Sequence, residues 1–381
     1  MRDAVIVDAV RTPVGKGKPG GALSGIHPAS LSAHILNALA GRNGLDPATV
    51  DDVVWGCVSQ VGEQTGCIGR ASVLAAGWPE SVPGLTVDRQ CGSSQQAVHQ
   101  AAAGVIAGQY DIAIAGGVES MSRIPMGSSR GNPELGVPFG PLVSERYGGV
   151  RFNQGVGAEM IASEFGLSRA ELDQHALDSH ARAAAATDEG RFKAQLAPVE
   201  GADADEGIRR GGTLEKMAGL KPAFREDGVI TAGNASQISD GAAAVLITTS
   251  EVAARNGWRP MARFHTGVVT GVDPVTMLKG PIPATAKVLS RAGLILDDIG
   301  VYEINEAFAS VTLAWLKETG ADYERLNPNG GAIALGHPLG GSGARLMTTL
   351  VHHMKDNGIR YGLQTMCEGG GQANATILEL L

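Results

Sequence analysis

The sequence predicts an α/β protein made of two related halves with an irregular segment inserted between them. Three observations carry this. Short apolar strands alternate with alanine-rich or amphipathic helices along most of the chain. Sequence features recur at an offset of about 250 residues, as an internal duplication would leave them. Between the copies, residues 120–239 lose this regularity, and 123–155 are rich in Gly, Pro and Ser.

The elements follow in order. The chain opens on a strand-like run, Met1-Arg2-Asp3-Ala4-Val5-Ile6-Val7. Gly44-Leu45 followed by Asp51-Asp52-Val53-Val54-Trp55 is echoed by Gly293-Leu294 followed by Asp297-Asp298-Ile299-Gly300-Val301. Gly84-Leu85-Thr86-Val87 reads as a strand running into Cys91. A helix is predicted just after it, with Ala97, Ala101 and Val105 on one face and Ala102 and Ile106 beside them. Ser93 and Gln96 have capping-box spacing at its start. The strand Asp111–Gly117 completes that unit. In the insertion, Ser168-Arg169-Ala170-Glu171 opens a helix through Ala186, and turn-rich sequence leads to Gly233. In the second half, Gly341-Ser342-Gly343 opens a helix with Leu346, Met347, Leu350, Val351 and Met354 at helical spacing, before the strand Leu363–Met366. The expected domains are 1–119 with 240–262, the inserted 120–239, and 263–381.

Composition narrows the function. Hydrophobic residues make up 43% and charged residues 18%, which predicts a folded globular protein. Aromatics are only 4% against 54 glycines, so the core must be aliphatic with close backbone packing. A formal charge of −8 argues against nucleic acid as a partner. Four cysteines without a CxxC pair give no disulfide scaffold. No apolar run reaches membrane-spanning length and no secretory signal opens the chain, so a cytoplasmic, membrane-free protein is expected.

Cys91, between a strand and a helix N-terminus, has the placement of a nucleophile; the helix dipole is expected to lower its pKa. His337 lies in the glycine-rich Asn329-Gly330-Gly331-Ala332-Ile333-Ala334-Leu335-Gly336-His337-Pro338-Leu339-Gly340, on a tight loop. Cys367-Glu368-Gly369-Gly370-Gly371 follows a strand, where successive glycine N–H groups can face an oxyanion. Asn305-Glu306-Ala307-Phe308 follows the strand Val301-Tyr302-Glu303-Ile304.

Together these stretches resemble the thiolase family over nearly the full chain. The likeness also includes Asp8-Ala9-Val10-Arg11-Thr12-Pro13, Gly116-Gly117-Val118-Glu119-Ser120-Met121-Ser122 and Thr231-Ala232-Gly233-Asn234-Ala235-Ser236. The resemblance implies a five-layer α/β/α/β/α sandwich of two βαβαβαββ domains plus a loop domain. It implies that Cys91 carries the acyl group, His337 takes its proton, and Cys367 exchanges a proton with Cα of acetyl-CoA. Asn305 would hold a water that forms one oxyanion hole with His337. The N–H groups of Cys91 and Gly369 would form the other. Arg209 and Ser236 would contact CoA, and Met277 and Phe308 would line the acyl pocket. It further implies CoA thioesters as partners, a homo-oligomer (tetramer or dimer), and neither metal nor cofactor beyond CoA as substrate.

The chemistry accounts for these residue types. Cleaving a carbon–carbon bond beta to a thioester needs a nucleophile that is also a good leaving group, which a thiolate is. It needs a base near neutrality, a second acid/base at the enolate carbon, and donors for two oxyanions. The sequence departs from the family's usual patterns at Gly92-Ser93-Ser94 and at Gln372-Ala373. Asn153-Gln154-Gly155 stands where short-chain members often carry His-Met-Gly. A ketoacyl-synthase-like condensing enzyme is the alternative, but those usually use two histidines where this chain has Asn305 and one histidine, and Cys at 367.

Overall fold

The structure, a computed structural model, describes residues 2–130 and 133–381. Met1, at the head of the predicted first strand, and Gly131 and Asn132, in the Gly/Pro-rich stretch, lie outside the described residues. Ten strands are present among the described residues: β1 (Val5–Arg11), β2 (Gly15–Lys16), β3 (Asp52–Gly56), β4 (Gly84–Val87), β5 (Ile112–Ser120), β6 (Ser239–Thr248), β7 (Ala262–Gly271), β8 (Val301–Ile304), β9 (Tyr361–Glu368) and β10 (Gln372–Leu380). The helices are α1 (Pro28–Asn43), α2 (Ile68–Ala75), α3 (Ser93–Ala107), α4 (Gly140–Arg146), α5 (Gln154–Glu164), α6 (Arg169–Asp188), α7 (Leu214–Ala218), α8 (Ser250–Arg255), α9 (Pro281–Ala292), α10 (Ala309–Thr319), α11 (Ala332–Leu335) and α12 (Ser342–Asn357).

The strands run in the order β4-β3-β5-β6-β1-β7-β10-β9-β8, with β2 on β6. Among the described residues the strands of the two halves pair through Val5↔Arg263 and Ile6↔Ala262 of β1 and β7. Each half repeats one topology. β3 pairs parallel with β5 and β8 with β9, whereas β5–β6 and β9–β10 are antiparallel. The second copy keeps only one bridge, Tyr302–Leu326, at the edge where the first has β4. Helices α1 and α2 cover the outer face of the first half, and α9 covers the outer face of the second. Between the two sheets lie α3 and α12, packed on each other. Their apolar residues Ala97, Val98, Met347, Leu350 and Val351 share one core with Ile6, Val245 and Leu378. The result is the predicted five-layer stacking. It buries most of α12 all round and α3 on every side but the stripe of Gln100, Ala103 and Ala107, so small side chains are needed where the two cross.

Local details differ from expectation in two places. The capping box at Ser93 does not form. Ser93 is already helical, and its Oγ accepts from Arg89 N at 2.9 Å and donates to Gln90 O at 2.6 Å. The loop carrying Cys91 has taken the hydroxyl that a cap would have used. Ile106, expected beside the buried face of α3, is exposed at the helix end. The capping box at Ser168 does form, with Glu171 reaching back to Ser168 N at 2.7 Å.

Candidate active site

The internal repeat places the functional loops at equivalent points. Cys91 precedes α3 and His337 precedes α12, the two central helices. Asn305 follows β8 as Cys57 follows β3. Cys367 lies at the end of β9, as Glu119 does on β5. All these strand ends and helix starts converge at one edge of the central layer, where backbones must approach closely. A Cβ on Gly340 would fall 2.6 Å from Cys57 Cα, and one on Gly369 would fall 2.7 Å from Gln90 Oε1. Only glycine fits at Gly340, where the contact is with backbone, while at Gly369 a side chain would have to displace Gln90.

Glu119 stitches the halves together. Its carboxylate accepts from Val58 N (2.9 Å), Ser59 N (3.0 Å), Gln64 Nε2 (2.8 Å) and Gly340 N (2.9 Å). It thereby fixes the loop after β3 against the His337 loop. Glu306 ties the insertion in. It accepts from Ser179 Oγ on α6 (2.7 Å), from Asn327 Nδ2 (3.1 Å) and from Ile333 N (3.1 Å). Asn305, next to it, is held by its N–H to Thr365 O at 3.1 Å.

His337 is buried and its tautomer is determined by its neighbours. Ser342 Oγ donates to Pro338 O at 2.8 Å, so it accepts at 2.6 Å from Nδ1–H of His337. Nε2 is left as the acceptor, 3.4 Å from Asn305 Nδ2. Burial, reinforced by the Arg345 charge, pushes the imidazole down to about 3. The ring is therefore neutral across the ordinary pH range, with the Nε2 lone pair free of a proton. Asn305 Oδ1 is buried without a protein partner.

Cys91 is buried against Met121, Leu339 and Met366. Here the structure corrects the expectation drawn from the helix dipole. Burial, with Glu368 and Glu119 adding to it, pushes the thiol up to about 12, while a hydrogen bond from the Gln154 side chain pulls the other way. Removal from water outweighs the dipole. Cys91 therefore needs a base to ionise it. Burial also raises the Cys367 thiol well above its usual value, and the neighbouring Cys91 raises it further.

A cavity of about 630 Å³ opens onto Cys91. Gly369, Met277, Phe308, Phe152 and Phe224 also line it. Met277 holds a left-handed backbone, φ 60°, that aims it there. Cys367 packs in the core immediately behind Met277 and Phe308. Four predicted residues, Cys91, Gly369, Met277 and Phe308, thus line one cavity, with Leu339 of the His337 loop beside them, while Cys367 shares a core with Met277 and Phe308. Arg209 does not join them. It lies exposed beside His180, whose Nδ1 accepts from Arg209 N at 3.1 Å, in a separate surface depression. Arg210, the next residue, is occupied by an ion pair to Asp188 at 2.7 Å. Ser236 lines neither, its N–H donating to Ala307 O at 2.9 Å, one residue from Phe308. Sequence reasoning gave no role to Gln154, Glu119 or Ser342. Ser342 follows His337 by one helical turn and a little more, the only sequence signal that could have found it.

A buried thiol, a neutral imidazole of fixed tautomer and a cavity lined by both phenylalanines and polar side chains come together at this edge. The chain belongs to the thiolase family. The family pattern for the thiolase N-terminal domain matches residues 4–251, and that for the thiolase C-terminal domain matches 258–380. The chain is 51% identical to the steroid 3-ketoacyl-CoA thiolase FadA6 of Mycobacterium tuberculosis, covering all of this chain and 95% of that protein. It is 46% identical to a 3-ketoacyl-CoA thiolase of Erwinia tasmaniensis and 45% identical to one of Escherichia fergusonii, each over the whole of both chains. It is an acyltransferase that moves acyl groups between CoA thioesters.

Proposed function

We propose that this thiolase cleaves 3-ketoacyl-CoA esters whose acyl group is larger than acetoacetyl. The single observation that carries this is the cavity over Cys91, whose volume and aromatic lining suit a sizeable apolar group. The Mycobacterium tuberculosis relative, named for a steroid substrate, supports a ring-bearing acyl group as one member of that class.

In this reading the Cys91 thiol gives its proton to His337 Nε2 and the thiolate attacks the 3-keto carbon. The C2–C3 bond breaks, and its electron pair becomes the enolate of acetyl-CoA. The Cys367 thiol protonates that carbon, leaving a Cys91 thioester and a Cys367 thiolate. The thiol of an incoming CoA gives its proton to Cys367 and attacks the thioester. Cys91 leaves as a thiolate and recovers its proton from His337. Asn305 positions a water that, with His337, stabilises one oxyanion, and the Cys91 and Gly369 N–H groups stabilise the other. Segment 120–239 is the CoA-binding unit, with Arg209 on the nucleotide phosphates and Ser236 against the pantetheine. The proposal includes a homo-oligomeric, cytoplasmic enzyme with no cofactor beyond CoA. Among the described residues no helix is long and apolar enough to cross a membrane.

The test is thiolysis of acetoacetyl-, ketohexanoyl- and ketodecanoyl-CoA and of a ring-bearing ketoacyl-CoA. Each methylene buried contributes about 0.8 kcal/mol, or roughly fourfold in kcat/KM when expressed in the transition state. A kcat/KM that falls steadily from acetoacetyl-CoA upward would mark a dedicated acetoacetyl-CoA enzyme instead.

A further inference from the structure

Glu368 is a titratable group beside Cys91 whose chemistry the reaction above leaves unused. It follows Cys367 on β9, so its side chain points to the opposite face of that strand, away from Met277 and Phe308. It runs instead beneath the nucleophile loop. A Cβ on Gly92 would fall 1.9 Å from Glu368 Oε1, so the carboxyl rests directly on the backbone of the residue after Cys91. Both carboxyl oxygens are buried without a well-formed hydrogen bond, and the one donor drawn towards them, the backbone N–H of Asn374, only partly offsets burial. That is an unusual condition for a carboxylate and a tolerable one for a neutral acid.

The groups that face it come from three elements. The loop before α3 contributes Asp88, Arg89 and Cys91. β9 contributes Cys367. β10 contributes Asn374, whose Nδ2 is turned to Gly92 O at 3.0 Å. Arg89 is the only cation among them. It makes no bond to Glu368, its Nη1 donating to Gln372 Oε1 at 2.9 Å.

We propose that Glu368 is a charge gate on the nucleophile, a positioning residue that remains a carboxylic acid while the enzyme works. Its ionisation sets a negative charge against the Cys91 sulfur and against the 91/369 oxyanion donors, and so switches the nucleophile off at alkaline pH. Burial supports this by pushing the carboxyl up to about 8, against the pull of Arg89. Glu368 is also the largest charged influence holding the Cys91 thiol high. The inference rests on Cys91 being the nucleophile.

Glu368→Gln keeps the shape of the neutral acid and removes its titration. Alkylation of Cys91 by iodoacetamide, read by peptide mass, follows the thiol without any CoA substrate. Between about pH 6.5 and about 9.5 the ratio of variant to wild-type rate should rise about tenfold, the effect of one pKa unit from a like charge removed. A packing role would change both rates by the same factor at every pH, and a constant ratio overturns the proposal. A second measurement needs no variant to be reactive. The infrared difference spectrum of wild type minus Glu368→Gln at neutral pH should contain the carbonyl stretch of a protonated carboxylic acid, lost on raising the pH. A carboxylate band there at neutral pH equally overturns it. An enzyme that passes both tests yet transfers no acyl group to CoA would fail the functional reading and not this one.

Discussion

Ser342 Oγ lies 2.6 Å from Nδ1 of His337, and its own proton is committed to Pro338 O. This bond sets which imidazole nitrogen carries the proton. It is formed within one loop-to-helix transition, because Ser342 is the first residue of α12 and its hydroxyl reaches back over the turn that holds the histidine.

Ser342→Ala should therefore impair catalysis more than folding. With Nδ1 unpartnered, the ring can rotate or change tautomer. kcat/KM for thiolysis should fall by about 10- to 100-fold, a typical share of general-base catalysis. Unfolding in urea should show a loss of only about 1–2 kcal/mol. Unchanged kcat/KM would show that the tautomer is fixed by something other than this hydroxyl.

The roles of the two cysteines separate in a Cys367→Ala variant. In the proposed mechanism Cys91 and His337 suffice for acyl uptake, so the variant should still acquire some acetyl group from acetyl-CoA. It should lose exchange of the acetyl-CoA methyl protons into deuterated water, followed by NMR. Normal exchange in this variant would remove Cys367 from the proton-transfer step.

Glu119 joins the halves through four donors, one of them Gly340 of the His337 loop. Glu119→Gln turns an amide NH2 against backbone N–H groups. Stability by urea unfolding should drop by about 2–4 kcal/mol, the usual cost of disrupting a buried, charge-assisted network. A loss below the error of the fit would mean that the loops hold their places without this carboxylate.

Glu303 gives a stability prediction whose sign follows from linkage. Burial pushes its carboxyl up to about 8, despite the attraction of Arg345. A carboxyl whose folded pKa lies above the unfolded value of 4.5 contributes stability in full below that value. The contribution is lost as pH rises through about 8. Between about pH 6.5 and about 9, Glu303→Gln should gain about 2 kcal/mol on wild type. Parallel stability profiles for the two proteins would show Glu303 already ionised at neutral pH.

Much of the fold was legible in the sequence because the internal repeat and the strand–helix alternation are local, periodic signals. The strand before Cys91, the helix after it and the helix start at Ser168 all stand where the sequence places them. Cys91, Met277, Phe308 and Gly369, scattered along the chain, meet at one cavity. Three things were not legible. Ser93 left its capping role because the Cys91 loop offered it closer partners, and loop conformation has no sequence period. The Cys91 thiol is raised rather than lowered because burial depends on Leu339 and Met366, which arrive from the other half. Glu119, Gln154 and Ser342 act through contacts that only folding creates.

The most direct measurement is the mass of the Cys91 peptide after incubation with acetyl-CoA and rapid acid quenching. The account predicts one acetyl group on Cys91, removed by added CoA and absent from Cys91→Ala, which should remain folded by circular dichroism. An acetyl group on Cys367 instead, or no covalent adduct in a preparation that turns over, would contradict it.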